Sequence, residues 1–522
     1  YVQADGLQTI GYDHGDYNVA TNYVKGNNSY TVFAGANYSH VDGTETWNNE
    51  NYQFTQSLFD RESYSKNSYR NHQEYMQFRY QNQKGKRYWV GKFTLVNLST
   101  PRNASSGFAK ESTETDVFSN IRKKSLSPKI DLNANLPLSK NQTLTLGVHG
   151  KYSANSYHRL YQEQPFETMT DEDEKALSFQ LSAIYNYFSQ KHSLSVELFH
   201  YHDVWNADYS GNCELWQHLW KGESLAFFSY NFQASRRLSL KTRIGLDWLQ
   251  YHLHGDNSFS QLSPRINTNV QYQLNKGMLL WSFNFVNSNH GMDVINRAMI
   301  QVNSHMMEKG MPELKKSHDI NTYLYYMGRF NRLSVSAIGQ FRYNHHPVTD
   351  DYYLDEANGK IVKTYSNGGN AQYYSAILAL QYKLCKFANL SGDIRYNHAE
   401  VKTTWSKHNN NLTGNLGLNM FMGDFALKPY LHFGKKSLDE AALVISKTPI
   451  DYGMSCSYSR GNLYVELQAV SPFKKQEKQY WLDLPIYSYS KSIKDQTASQ
   501  YASIKVAYSF DFGRKTQKVE KD

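Results

Sequence analysis

Two histidines and two aspartates fall within one short stretch, His345-His346-Pro-Val-Thr-Asp350-Asp351. Imidazole and carboxylate together are the ligand set of a divalent metal site. A polar loop tip has the same composition and is the plainer alternative. His200 and His202, and His252 and His254, are two apart near the ends of extended segments. Each pair could share a metal on one strand face, but no third ligand is identifiable. Asp171-Glu-Asp-Glu174 is an acidic run that could bind a cation loosely. It lacks the alternate-position spacing of a calcium loop. Trp205, Trp216 and Trp220 lie close enough to stack on a sugar face or to cap a loop cluster. No phosphate-cradling glycine loop and no nucleophile elbow is present. No catalytic residue, cofactor site or metal site is therefore assigned, and an enzyme is not expected.

The elements that would position these groups are strands. In the C-terminal stretch, Ala502, Ile504, Val506, Tyr508, Phe510 and Phe512 fall on one face. Ser503, Lys505, Ala507, Ser509 and Asp511 fall on the other. Side chains alternate along a strand, so one face is apolar and the other wet. About eleven residues is the length of a tilted strand that crosses a bilayer. The pattern recurs upstream, as in Ile130, Leu132, Ala134, Leu136 and Leu138, or Leu238, Leu240, Ile244, Leu246 and Trp248. One strand near the start is ambiguous, with Tyr17, Val19, Thr21 and Tyr23 on one face and Asn18, Ala20, Asn22 and Val24 on the other.

Turn signals stand at 26–28, 83–86, 139–142, 189–192, 235–237, 275–277, 328–332, 385–388, 422–424 and 459–462. Glycine, asparagine and their neighbours there suit tight hairpins. Between them lie longer polar stretches at 42–71, 97–118, 157–175, 204–221, 287–316, 345–369, 402–411, 435–449 and 473–500, read as loops. Residues 294–307 have apolar spacing suited to a short helix. Ten short turns, with both chain ends on the turn side, imply about 22 strands. Short turns on one side and long loops on the other is the asymmetry of an outer-membrane barrel.

Composition agrees. Hydrophobic residues are 40 % of the 522-residue chain and mean hydropathy is −0.68. No stretch approaches a transmembrane helix, but alternation hides the hydrophobicity of a barrel. The 42 tyrosines suit surfaces where an apolar zone meets water. The formal charge of +9 is scattered rather than clustered on a basic helix, so no nucleic-acid partner is expected. It suits anionic outer-leaflet lipid or ligand. Cys213, Cys385 and Cys456 are far apart and allow at most one disulfide.

Three places resemble a known family. Ala502-Ser-Ile-Lys-Val-Ala-Tyr-Ser-Phe-Asp-Phe-Gly-Arg-Lys515 is similar to the closing strand of Bacteroidota-type outer-membrane proteins related to TonB-dependent receptors. Gly310-Met-Pro-Glu-Leu-Lys-Lys-Ser-His318 is similar to their mid-barrel Gly-Asn-Pro-x-Leu-x-Pro-Glu-x-Ser-His segment. Met311 replaces the Asn there, and the Pro-Glu pair after Leu314 is missing. Residues 11–42 resemble the first strands that follow the plug. The resemblance implies uptake of a large nutrient such as a glycan, peptide or metal chelate. It also implies a plug domain in cis or trans, the TonB energy-transducing system and a surface lipoprotein as partners.

The expectation is a single all-β transmembrane antiparallel barrel over residues 1–513, with its first strand truncated and a polar tail at 514–522. It would sit in a bacterial outer membrane. Its lumen would be lined by Lys129, Asp131, Asn133, Lys241, Arg243, Asp247, Arg265, Asn267, Gln271, Lys505 and Asp511. No plug is visible in the sequence. A plug-less passive channel and a soluble glycan-binding protein are the alternatives.

Overall fold

The computed structural model describes residues 1–256, 258–288, 290–494 and 499–510. Twenty-two antiparallel strands follow one another around a closed barrel. Closure is made by the first and last strands. Val2–Ile10 pairs with Tyr501–Phe510 from Val2 opposite Phe510 to Ile10 opposite Ala502. On its other side it pairs with Asp13–Lys25. Closed pairing satisfies backbone groups that lipid cannot, which is why only such sheets cross membranes.

All ten turns expected from the sequence are hairpin turns of this barrel, on the side where Val2 and Phe510 end. Phe510 is the last described residue, so Asp511 and the tail 514–522 lie outside the described residues.

The outer surface follows from the alternation. Ile504, Val506, Tyr508 and Phe510 are 39–44 % exposed, while Ser503, on the opposite face, is 6 % exposed. Ile130 and Leu132, Ile244, Leu246 and Trp248, and Leu378 and Leu380 repeat this around the circumference. The strand Asp13–Lys25 is now unambiguous: Tyr17, Val19 and Tyr23 are exposed outward and Ala20 is buried. A continuous apolar belt of this size has no place in water. The closed barrel and its belt place the protein in a bacterial outer membrane. The soluble alternative is thereby excluded.

The structure corrects the reading of the long loops. Residues 42–71 are mostly strand: Asn28–Gln53 and Leu58–Lys84 pair without interruption except at one bulge between Asp42 and Thr44. Gly43 occupies that bulge with φ 83°, a conformation that favours glycine. Arg87–Lys110, Glu114–Ser139, Gln142–Glu163 and Phe166–Phe188 likewise run far beyond a membrane crossing. The barrel wall therefore rises as a tall collar on the extracellular side. These extensions are polar on both faces, so nothing in their hydropathy separates them from loop.

The expected helix at 294–307 is also corrected. Only Met292–Ile295 is helical, and Met299–Gln301 and Met306–Lys309 are strands. They join Thr349–Asp355 and Lys360–Ser366 in a separate four-stranded sheet. Among the described residues all three cysteines are free thiols.

Candidate functional site

The four-stranded sheet belongs to no part of the barrel wall. Met306–Lys309 pairs parallel with Lys360–Ser366, so two loops far apart in sequence build one unit. Its apolar residues are buried against the collar. Met306, Tyr352 and Ile361 pack with Tyr52, Val401, Leu443, Leu482 and Tyr487. The segment leading into it buries Met292, Ile295, Ala298 and Leu314 against Ala207, Tyr209, Leu219 and Leu253. The contacts run from Tyr52 through Leu219 to Leu482, around the wall. The sheet thus lies across the extracellular mouth as a lid.

Two groups of ion pairs fasten it. Lys316 Nζ lies 2.8 Å from Asp247 Oδ2, and both side chains are fully buried. Arg265 Nη2 lies 2.6 Å from the same oxygen and 3.0 Å from Glu223. One carboxylate oxygen thus ties the end of the first loop to two strands of the wall. At the second group, Arg61 is 3 % exposed and donates to Glu163 at 2.6 Å and to the Tyr161 hydroxyl at 3.0 Å. Glu50 and Glu111 stand 3.5 and 3.6 Å from the same guanidinium. Residues of the lid and of the collar complete it. Asn303 donates to Tyr52 at 3.1 Å, His305 pairs with Glu111 at 2.7 Å, and Tyr52 and Tyr487 donate to Glu50 at 2.9 and 2.7 Å. Arg159 donates to the carbonyls of Gln301 and Val302.

Burial shifts several groups in the lid and in the collar around it. Burial pushes the Asp350 carboxyl up, and Lys363 at 3.2 Å partly offsets this. Burial also raises Glu440, which pairs with Arg342. Burial lowers His290, whose Nε2 lies 2.8 Å from the Lys315 carbonyl. Tyr489 is pushed up to about 12 by burial.

The expected lumen residues fall into several places. Asp131 pairs with His149 at 2.7 Å and lies 3.9 Å from Lys92. Lys129 and Asn133 share its strand face. Arg243 pairs with Glu197 at 2.6 Å and stacks 3.4 Å over the Phe227 ring. Asn267 donates to Asn284. Lys241 and Gln271 are exposed near the short-turn end, and Lys505 stands opposite Glu466 and Leu7. Asp247 and Arg265 are brought together, but Asp247 is enclosed beneath Lys316 rather than open to solvent.

The metal candidates are not assembled. Asp350 faces Lys363, Asp351 accepts from Trp405 at 2.8 Å, and His346 faces the Asn367 carbonyl. In the acidic run, Asp171 pairs with His158, Glu172 accepts from Tyr209, and Glu174 accepts from Asn155. Trp220 donates to His202. Among the described residues no group of three or more His, Cys, Asp or Glu is placed to hold a metal. Sequence reasoning missed Arg61, Glu163 and Arg159. They are polar residues in polar strands, and their partners are some hundred or more positions away. Lys316 had a signal, because it lies in the Gly310–His318 segment that resembles a family motif.

No protein-family model matches the sequence, and no curated protein matches it. Solved structures do. A copper transporter, OprC, matches with a TM-score of 0.70 at 10 % identity, over 98 % of this chain and 80 % of that one. The ferric-catecholate import receptor Fiu of E. coli K12 matches with 0.64 at 10 % identity, over 98 % and 81 %. The ferripyoverdine receptor of the Pseudomonas aeruginosa outer membrane matches with 0.64 at 9 % identity, over 97 % and 71 %. At such identity the likeness is one of fold: this chain shares its barrel fold with outer-membrane transporters and import receptors.

Proposed function

We propose that this barrel is an energised uptake receptor. It takes a large nutrient, such as a glycan, peptide or metal chelate, from the extracellular mouth through the lumen. The single observation that carries this is the lid: two loops fold inward, pack and ion-pair across the mouth of a wide barrel. A lid that seats and releases fits capture followed by passage. The copper and ferric-chelate transport named for its structural neighbours supports the same reading.

Within it, the set Lys129, Asp131, Asn133, Lys241, Arg243, Arg265, Asn267, Gln271 and Lys505 lines the route. Asp247 acts as the lid anchor. A plug in cis or trans fills the lumen and couples it to the TonB system. The collar is the surface for a lipoprotein partner, in the Bacteroidota manner. The test is uptake of a labelled candidate nutrient by cells expressing the native protein, with and without a proton uncoupler. Loss of uptake on uncoupling supports the receptor. Uptake that persists, with steady conductance of the purified chain in a planar bilayer, establishes a passive channel instead.

A further inference from the structure

The strands Leu58–Lys84, Arg87–Lys110 and Glu114–Ser139 stand side by side, and their outward faces carry the apolar belt through Met76, Phe78, Phe93, Leu126, Ile130 and Leu132. A crossing strand needs about eleven residues. Counted from Asn82, Trp89 and Leu136 near the short turns, that length ends at His72, Ser99 and Leu126. The next outward position on each strand is a cation: Arg70, Arg102 and Lys124. Arg122 follows Lys124 on the same face.

Arg102 reaches this face because of a bulge. On both of its flanks the strand Arg87–Lys110 carries one residue more than its partner, with register shifts at Arg70/His72 and Thr100/Asn103. Pro101, which has no N–H to pair, lies in the shift, where proline is tolerated. The extra residue brings Arg102 directly opposite Arg70. Like charges opposite one another across a sheet are destabilising. All four side chains are exposed, and among the described residues none makes a hydrogen bond or ion pair to a carboxylate. The nearest outward acid, Asp42, lies diagonally from Arg70 on the adjacent strand and accepts from Ser68; Asp13, two strands from Arg70, pairs with His40 at 3.0 Å, and Asp171, two strands from Arg122, is held by His158 at 2.6 Å. Glu74, lower on its strand, accepts from Asn97.

We propose that Arg70, Arg102, Arg122 and Lys124 bind the phosphate groups of an anionic glycolipid of the outer leaflet. The height matches the headgroup layer, and the guanidinium fork matches phosphate geometry. An anion seated between Arg70 and Arg102 turns their repulsion into two attractive contacts. This site depends on the membrane placement and not on what the lumen carries.

The experiment uses the purified full chain in phosphatidylcholine nanodiscs, with and without lipid A, and reads thermal unfolding together with lipid phosphate retained per barrel. The variant R70Q/R102Q/R122Q/K124Q is compared with K84Q/K86Q/R87Q/R237Q, which removes exposed cations at the short turns. Both are first checked for heat-modifiable migration as folded barrels. Lipid A is expected to raise the unfolding temperature of the native chain and of the short-turn variant. The outer-face variant should lose that rise and retain about tenfold less lipid phosphate, given the strength of charge-assisted contacts. Lipid A lacking its phosphates should give no rise. Equal responses of the two variants, or no rise in the native chain, would overturn the site. An equal rise with inorganic phosphate alone would overturn the lipid as its source. If the outer-face variant fails to fold, the charge-retaining R70K/R102K/R122K/K124R decides: loss of the rise there supports the fork geometry, and an unchanged rise refutes it.

Discussion

Lys316 and Asp247 form a fully enclosed ion pair, 2.8 Å apart, between the end of an inward-folded loop and the barrel wall. Removing one partner of a buried pair leaves the other charge unmatched, at a cost of roughly 3–5 kcal/mol. Lys316→Met leaves Asp247 with Arg265 as a partner, so its cost should sit at the lower end. Asp247→Leu strands the enclosed Lys316 and leaves Arg265 with Glu223 alone, and should cost more. Hydrogen exchange in 290–316 should rise in both, with the larger rise in Asp247→Leu. Equal protection to the native chain in both would show that the pair does not hold the lid.

Arg61 serves three carboxylates at once, so its loss is worse than that of any single one. Arg61→Gln should loosen 299–309 and raise single-channel conductance of the chain in planar bilayers. Glu111→Gln, which removes the longest of those contacts and the His305 pair, should have a smaller effect. The order of conductances is the check.

His290 gives the lid a pH dependence of determinable sign. Its folded value is lowered by burial, so the seated lid prefers the neutral ring. That contribution is whole above the unfolded value near 6.5 and is lost as pH falls through it toward the lowered folded value. Lys221 adds to the depression and Asp293 opposes it. Exchange of 290–316, corrected for intrinsic rate, should increase between pH 7.5 and 5.5, and His290→Gln should flatten the change.

Facing on the closing strand is testable by charge. Val506 points to lipid, and an arginine near the midplane costs about 2–4 kcal/mol. Ala507 is on the opposite face, across from Asp5. Val506→Arg should reduce folded barrel in urea titrations, while Ala507→Arg should be near neutral. Comparable loss in both would show the facing to be wrong.

Much of the barrel was legible because its signal is local. A strand between lipid and water writes its position as alternation every second residue, and a tight hairpin needs glycine or asparagine at fixed places. Ile504, Val506 and Tyr508 could be assigned outward with no tertiary information, and the ten turns sufficed to count the strands. That signal stops where lipid stops. Above the membrane both faces of a strand are wet, so 42–71 and 97–118 read as loop although they are paired strands. The lid was beyond reach for another reason. Met306–Lys309 meets Lys360–Ser366, and Arg61 meets Glu163, only because the closed barrel brings distant segments to one mouth. Alternation decided which residues face the bilayer. Which polar residues become buried partners was decided by the tertiary structure, since desolvation and charge pairing depend on neighbours that sequence separation does not reveal.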